Sequence, residues 1–328
     1  MSQSEKLWDR VKVILNERGN PASEFSKQYV LQDQNVYGPL REALRYFLED
    51  IWCDLVHPAL ISLGCEAVGG SSDETVGFGA AIVLLAGAAD IHDDIIDQSV
   101  TKGDKPTVFG KFGKDVALLA GDALLLKSLY LLHDICGSLP KSKSNDILET
   151  VKRTFFEISS GEIEEITLRG KIDITKQAYL NIVEQKVAAA EATMRIGAIV
   201  GNGEEQDIAL MSHYGRTLGI LLALRDEFVD IFEPDEIKNR FEQECLPLPV
   251  LLALHDDSKR STILKLLKSQ ITEESIEKIL DLSIDDKETR NLETEMKSLI
   301  AQEIAGLSQV KQCRESLELL LNATLEDL

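Results

Sequence analysis

An apolar segment from Ala81 to Asp97 carries four aspartates, and it restricts the possible folds of this chain more than any other feature. Apart from one histidine, the rest of the segment is Ala, Val, Ile, Leu and Gly, which is typical of a buried helix. At 3.6 residues per turn the carboxylates form one stripe, with neighbours about 5–6 Å apart. They belong to Asp90, Asp93, Asp94 and Asp97. Because unpaired carboxylates are costly to bury, the stripe predicts a bound cation such as Mg²⁺, and the alternative is a solvated acidic edge.

A second acidic cluster lies far downstream, again in an apolar segment. Asp226 and Asp230 are one helical turn apart, and Glu227 lies beside them. Two such clusters facing each other across a cavity would hold several Mg²⁺ ions against one polyphosphate. The ions would neutralise a departing diphosphate and help to ionise the carbon that it leaves. Together the clusters indicate Lewis-acid chemistry on a diphosphate.

The composition favours a large helical protein. Of 328 residues, 44% are hydrophobic and 5% aromatic, and no alternating β-branched run suggests a sheet. We expect one all-α domain spanning 1–328, although the length also allows two. The net charge of −21 argues against nucleic acid or an anionic membrane surface as a partner.

The sequence predicts a cytoplasmic location without a membrane span. Five scattered cysteines that form no C-x-x-C pair are typical of reduced thiols. The first six residues are polar and mixed in charge, unlike a signal peptide. Because Asp90 to Asp97 interrupt the best apolar run, we expect no transmembrane helix.

Glycine, proline and polar clusters divide the chain into segments of helical length. A first amphipathic helix is expected from about Glu5 to Arg18, ended by Gly19-Asn20-Pro21. Longer segments are expected near 40–68, 114–136, 145–168, 176–200 and 205–232. Beyond about Asp256 the charged, amphipathic chain predicts two to four covering helices.

Shorter motifs accompany the two acidic clusters in a fixed order. They are Lys105-Pro106-Thr107-Val108, Ala120 to Leu125, Gly161 to Glu165, Lys186 with Gly197-Ala198, and Leu248-Pro249. With Asp93-Asp94-Ile95-Ile96-Asp97 as a D-D-x-x-D motif, the sequence resembles the trans-polyprenyl diphosphate synthases, including geranylgeranyl and farnesyl diphosphate synthases. The resemblance extends from about residue 40 to 254 and implies the isoprenoid synthase fold, a single-domain helical bundle around a central cavity. Residues 255–328 would then form covering C-terminal helices.

The resemblance implies a Mg²⁺-dependent prenyltransferase that condenses isopentenyl diphosphate (IPP) with an allylic diphosphate. Three Mg²⁺ ions would be held by metal ligands among Asp93, Asp97, Asp226, Glu227 and Asp230. Lys102 and Lys186 would bind the allylic diphosphate, and Asp94 and Lys186 join the catalytic set. Ionisation would leave an allylic cation, IPP would attack it, and the released diphosphate would remove a proton.

Several basic residues that bind IPP in the family are replaced in this chain. The family's G-G-K-R-x-R-P segment aligns with residues 52–58, where the lysine has become Asp54 and the last arginine His57. An arginine after the first motif is Gly103, and a later lysine is Cys245. Candidates for the remaining contacts to substrate are His57, Lys238 and Arg240. Each charge-assisted contact contributes about 1.5–3 kcal/mol, so the losses predict weak IPP binding.

These departures leave two alternatives open. One is an enzyme of the same fold that acts on the allylic diphosphate alone, although 5% aromatic residues give little material for a cation-lining pocket. The other is a partner or regulatory subunit of a hetero-oligomeric synthase. A homodimer is the expected assembly. Both acidic clusters are retained, which argues against a subunit that has no catalytic activity of its own.

Small residues precede the first acidic motif at the positions that limit product length in the family. The small residues are Ala88 and Ala89. One turn earlier the chain has Leu84 and Leu85, which are of moderate size. A helical turn rises about 5.4 Å, close to the length of one isoprene unit. The absence of a ring at this level predicts a C20 or slightly longer product, unless the alanines only pack against a neighbouring helix.

Overall fold

A computed structural model describes residues 3–232, 237, 240–241, 244–269, 272–310 and 312–326. Long helices dominate: α1 (Gln3–Leu31), α4 (Val76–Ile96), α6 (Lys114–Cys136), α7 (Lys141–Leu168) and α10 (Glu205–Val229). Between them lie α2 (Gly38–Arg45), α3 (Val56–Ala67), α5 (Val108–Phe112), α8 (Lys176–Lys186) and α9 (Ala188–Val200). The C-terminal helices are α11 (Leu248–Leu254), α12 (Asp257–Leu267), α13 (Glu273–Ile284), α14 (Lys287–Gly306) and α15 (Arg314–Ala323).

The strands in the described part of the chain form a single short hairpin. Thr101–Lys102 (β1) pairs antiparallel with Lys105–Pro106 (β2). The expected all-α class is therefore confirmed. Beyond Asp256 four helices are described, the upper end of the predicted range, and they add Leu292, Met296 and Leu317 to a core shared with α9 and α10.

The helix that carries the first acidic cluster lies at the centre of the fold. α4 packs against α1, α3 and α6, and α3 in turn packs against α9. Glycines bring α3 and α9 into backbone contact: a Cβ on Gly197 would lie 2.1 Å from the Ile61 carbonyl oxygen, and one on Gly64 2.5 Å from that of Met194. Larger residues there would push the helices apart.

The predicted end of the first helix was wrong. α1 continues through Pro21 to Leu31. Ala22, Ser26 and Val30 recur at helical spacing and are buried, so packing of this face outweighs the backbone hydrogen bond that proline removes. Proline and glycine therefore predicted a boundary that tertiary contacts override.

Other predicted boundaries agree more closely with the structure. The 114–136 segment is α6 itself, and the 205–232 segment is α10 followed by a 3₁₀ turn at Asp230–Phe232. The 176–200 segment divides into α8 and α9 at Val187. The 40–68 segment contains a π-helical turn, Tyr46–Ile51, and an extended residue, Trp52, before α3 begins.

Among the described residues, two helical stretches are long and apolar enough to cross a membrane. The prediction that no apolar run reaches this length was therefore wrong, while the absence of a transmembrane helix stays a prediction. The two stretches are Ser72–Ile96 and Lys114–Cys136. The aspartates lie at the C-terminal end of the first stretch and leave an apolar window ahead of them. In the fold 61% of that window is buried, against 39% for the second, as expected for a core helix and a helix with one open face.

Candidate active site

A cavity of about 760 Å³ lies beside the C-terminal end of α4. Its walls come from α4, the β1–β2 hairpin, α7 and the end of α8. Six acidic and three basic side chains line it: Asp93, Asp94, Asp97, Glu162, Glu165, Glu244, Lys102, Arg169 and Lys186. This excess of carboxylates suits cations, and anions that arrive together with cations.

The hairpin after α4 places a lysine, Lys102, beside the first acidic cluster. Lys102 Nζ donates to Asp90 Oδ1 at 2.5 Å and lies 3.0 Å from Asp94 Oδ1. Gly103 occupies the turn with φ of 56°, a left-handed conformation that other residues rarely adopt. Buried Thr107 donates its hydroxyl to a backbone carbonyl oxygen and caps α5, which fixes the base of the hairpin. The hairpin therefore has a turn at the position where the resemblance implies an arginine.

The aspartates of α4 are held in a poorly hydrated, negative environment. The pKa of Asp93 is raised to about 7, first by burial and then by the charges of Asp97 and Glu162. Burial also raises the pKa of Asp94 to about 6, although Lys102 opposes the shift. Asp94 is 2% exposed, and its Oδ2 atom has no hydrogen-bond partner among the described residues. A divalent cation would relieve both the repulsion and the missing contact.

These donors fit Mg²⁺, which prefers carboxylate oxygen and keeps several waters. In the present side-chain arrangement, no three acidic, histidine or cysteine groups of the described residues meet closely enough to hold an ion. Asp90, Asp93 and Asp97 are the partly exposed members of the stripe, since Asp94 is buried, and Asp90 is already paired with Lys102. Metal binding would therefore require small side-chain movements at Asp93 and Asp97.

Two further basic side chains enter the cavity from the other wall. Lys186, at the end of α8, contacts Glu165 and lies 3.0 Å from Glu162. Burial would lower the pKa of Lys186, but these two carboxylates raise it, so the ammonium stays charged. Arg169, just after α7, contacts Asp97 across the cavity. Lys186 was expected at the site, whereas sequence reasoning missed Arg169.

The second acidic cluster is divided between two environments. Asp226 is 66% exposed, and its Oδ1 lies 3.3 Å from Arg225. Glu227 and Asp230 instead bind Arg240, which is 5% exposed, at 3.1 and 2.5 Å. Glu227 also accepts a hydrogen bond from the backbone of α11. Contacts of Arg240 or Glu227 to ligands would require this buried network to open. Asp226 is the most accessible carboxylate of the cluster, and Asp230 is partly exposed but paired with Arg240. Lys238 lies outside the described residues.

The two residues at the expected IPP position form the start of α3. Buried Asp54 accepts hydrogen bonds from the backbone N–H groups of Val56 and His57 at 3.0 and 3.2 Å. It also contacts His57 Nδ1 at 2.8 Å. Burial would raise the pKa of Asp54, but His57 and the two N–H groups lower it overall. Burial opposes protonation of His57, yet Asp54 raises the pKa of the imidazole. The pair therefore stabilises the start of α3 at the positions where the resemblance implies diphosphate ligands.

Replacement of Asp54 should reveal this structural role. Asp54→Ala should lower the free energy of unfolding by about 2–3 kcal/mol near pH 6, because it removes a helix cap and a charge-assisted hydrogen bond. Asp54→Asn keeps an acceptor and should lower it less. The lowered pKa of Asp54 and the raised pKa of His57 place the full contribution between pH ~3.8 and ~6.5. It should decline as pH rises through the raised pKa of His57 or falls through that of Asp54, as measured by denaturant unfolding across pH. Equal stability of the natural chain and Asp54→Ala at pH 6 would contradict the cap.

The two alanines before the first motif have different surroundings. Ala88 is 2% exposed and belongs to the same buried core cluster as Phe47 and Ile91. Ala89 is exposed and lies one turn before Asp93, on the same face of α4. The open position above the acidic motif is therefore Ala89, while a large residue at Ala88 would overpack the core.

Comparison with known proteins decides the family. The Polyprenyl synthetase family profile matches residues 40–283, close to the predicted start of the resemblance and beyond its predicted end. The chain belongs to the polyprenyl synthetase family. Membership confirms the prediction of a trans-prenyltransferase enzyme of the polyprenyl diphosphate synthase type.

Characterised relatives and solved structures agree with this assignment. A geranylgeranyl diphosphate synthase of Sulfolobus acidocaldarius is 28% identical over 273 residues, covering 83% of this chain and 78% of the relative. A short chain isoprenyl diphosphate synthase of Methanothermobacter thermautotrophicus is 30% identical over 182 residues, 55% of each chain. The crystal structure of a geranylgeranyl pyrophosphate synthetase from Pyrococcus horikoshii superposes with a TM-score of 0.85 at 24% identity and covers all of both chains. These likenesses confirm the isoprenoid synthase fold.

Proposed function

We propose that this polyprenyl synthetase is a cytoplasmic, Mg²⁺-dependent prenyltransferase that extends an allylic diphosphate with IPP to a C20 or slightly longer product. The observation that carries the proposal is the cavity where the α4 aspartates meet Lys102, Arg169 and Lys186. Relatives named geranylgeranyl diphosphate synthases support the product class. We treat residues 1–328 as one catalytic domain.

The role that we propose for each residue follows from the surroundings of its side chain. Asp93 and Asp97 on one side and Asp226 on the other would hold the Mg²⁺ ions, three in the proposed scheme. When bound, the ions supply Lewis-acid stabilisation of the departing diphosphate. Lys102 and Lys186 donate hydrogen bonds to its oxygens, since both ammonium groups lie in the cavity wall. Ala89 leaves space for the isoprenoid tail beside α4.

The open position at Ala89 predicts the product length. Ala89→Phe should shorten the main product by at least one C5 unit, because the ring fills about one isoprene length above the acidic motif. Chromatography of products from labelled IPP measures the change. The matched variant Ala86→Phe lies on the same face one turn earlier and should permit a longer product than Ala89→Phe. Unchanged length in Ala89→Phe would place the limiting wall elsewhere.

A second copy of the chain is the proposed partner. α6 and α7 expose large apolar side chains at helical spacing: Leu119, Leu126, Tyr130, Phe156 and Ile163. Several large apolar side chains exposed at helical spacing are unusual on a monomer. We therefore assign the surface to a homodimer, and sedimentation that shows a monomer would contradict it.

One assay tests the proposed function. Purified protein is incubated with Mg²⁺, labelled IPP and allylic diphosphates of five, ten, fifteen and twenty carbons. The proposal predicts labelled prenyl diphosphates, which disappear when a chelator removes Mg²⁺. Consumption of the allylic substrate without incorporation of IPP would favour a non-condensing enzyme. Activity that appears only with a second synthase-like chain would favour a subunit of a hetero-oligomer, an outcome for which Asp54 and His57 are the supporting observation.

A further inference from the structure

One arginine of the cavity corresponds to none of the motifs that identify the site. Arg169 follows the last residue of α7, and its Nη2 donates to Asp97 Oδ1, which terminates α4. The two residues are 72 positions apart, so only the fold brings them together. Arg169 lines the same cavity as Lys102 and Lys186.

The present contacts leave part of the guanidinium unsatisfied. Its Nε atom is shielded from solvent and has no hydrogen-bond partner among the described residues. A shielded N–H without a partner is unfavourable, and it is more unfavourable on a charged group. A guanidinium has five N–H donors in a planar fork that matches the paired oxygens of a phosphate. The contact to Asp97 therefore uses only some of the N–H donors of Arg169.

Asp97 is also one of the proposed metal ligands, and a cation there changes what holds Arg169. A Mg²⁺ ion on Asp97 would neutralise the charge that attracts the guanidinium, and its own positive charge would repel it. A diphosphate that accompanies the ion brings several negative charges into the same cavity. The most favourable new partner for Arg169 is then a diphosphate oxygen.

From this arrangement, and resting on the proposed function, we infer that Arg169 is a diphosphate-binding residue that is held by Asp97 until a metal-bound diphosphate enters. It supplies a guanidinium to a cavity in which the family's arginine position is Gly103. The same exchange keeps Asp97 paired in the metal-free chain, where burial raises the pKa of its carboxyl.

Calorimetric titrations of the full chain separate this role from a purely structural one. Mg²⁺ alone is titrated first, and inorganic pyrophosphate is then titrated at saturating Mg²⁺. Arg169→Ala should weaken pyrophosphate binding about 10- to 100-fold, the equivalent of one charge-assisted phosphate contact. Its affinity for Mg²⁺ alone should be equal or higher, because a competing cation has been removed from Asp97. Arg169→Lys should lie between Arg169→Ala and the natural chain in pyrophosphate affinity, since it keeps the charge and loses the fork.

The matched control is Lys171→Ala, an exposed cation two residues along the chain that does not line the cavity. It should bind pyrophosphate like the natural chain. A structural tie between α7 and α4 would instead weaken Mg²⁺ binding in Arg169→Ala, because Asp97 would lose its orientation. That result, or unchanged pyrophosphate affinity in Arg169→Ala, overturns the inference and leaves the proposed function standing. Absence of Mg²⁺-dependent pyrophosphate binding in the natural chain overturns both.

Discussion

Asp93→Ala and Asp226→Ala should each reduce turnover at least about a hundredfold, since each removes charge stabilisation of the departing diphosphate. Neither variant should lose its fold. The pKa of Asp93 is raised to about 7 in the folded chain. At a pH above its ordinary pKa, the ionised carboxylate of Asp93 therefore destabilises the fold. Removing this carboxylate at pH 8 therefore relieves the cost of burying its charge, and then its repulsion by Asp97 and Glu162, instead of breaking a bond. Asp226 is exposed and contacts only its neighbour Arg225 among the ion pairs described.

Turnover with IPP and an allylic diphosphate, followed by release of labelled product, measures the effect. Asp281→Ala, on the exposed face of α13, is the matched control and should keep full activity. Thermal unfolding of all three variants shows whether the fold is retained. Normal turnover in either Asp93→Ala or Asp226→Ala would contradict the two-cluster mechanism.

The apparent KM for IPP should be unusually high, and His57→Arg should lower it about tenfold or more. The reason is that a guanidinium at this position restores one charge-assisted contact to the phosphate. The guanidinium can also keep the contact that residue 57 makes with Asp54. The KM for the allylic diphosphate should change much less. Restoring a lysine at Asp54 is a poorer test, because Asp54 caps α3 and is buried.

The matched control for this prediction is His133→Arg, which adds the same charge on an exposed part of α6. It should leave both KM values unchanged. Saturation of the natural chain by micromolar IPP would show that a complete IPP site exists elsewhere, and that Asp54 and His57 have been misread as losses.

The acidic stripe could be predicted from the sequence because helical periodicity alone places Asp93 and Asp97 on one face. The order of short motifs was equally informative, since it identified the family before any contact was known. Helix-breaking residues were a less reliable guide. Pro21 predicted a helix end, but packing of the buried face of α1 keeps the helix intact. Spacing also gave equal weight to Ala88 and Ala89, which packing separates into a core residue and an open one.

Contacts between distant residues were beyond sequence reasoning. No spacing rule connects Arg169 with Asp97, or Arg240 with Glu227 and Asp230. The sequence showed Asp54 and His57 as missing diphosphate ligands, and only the structure shows them as a helix cap. The sequence therefore predicted which groups the site contains, and the fold determines which of them are free to bind a ligand.

Crystals grown with Mn²⁺ in place of Mg²⁺ and with inorganic pyrophosphate test the central claim most directly. Anomalous scattering locates the metal ions without reference to the protein. The two-cluster account predicts ions bound by Asp93 and Asp97 and a further ion bound by Asp226, all in contact with the same pyrophosphate. Ions at the first cluster alone, with Asp226 still in solvent, would contradict it.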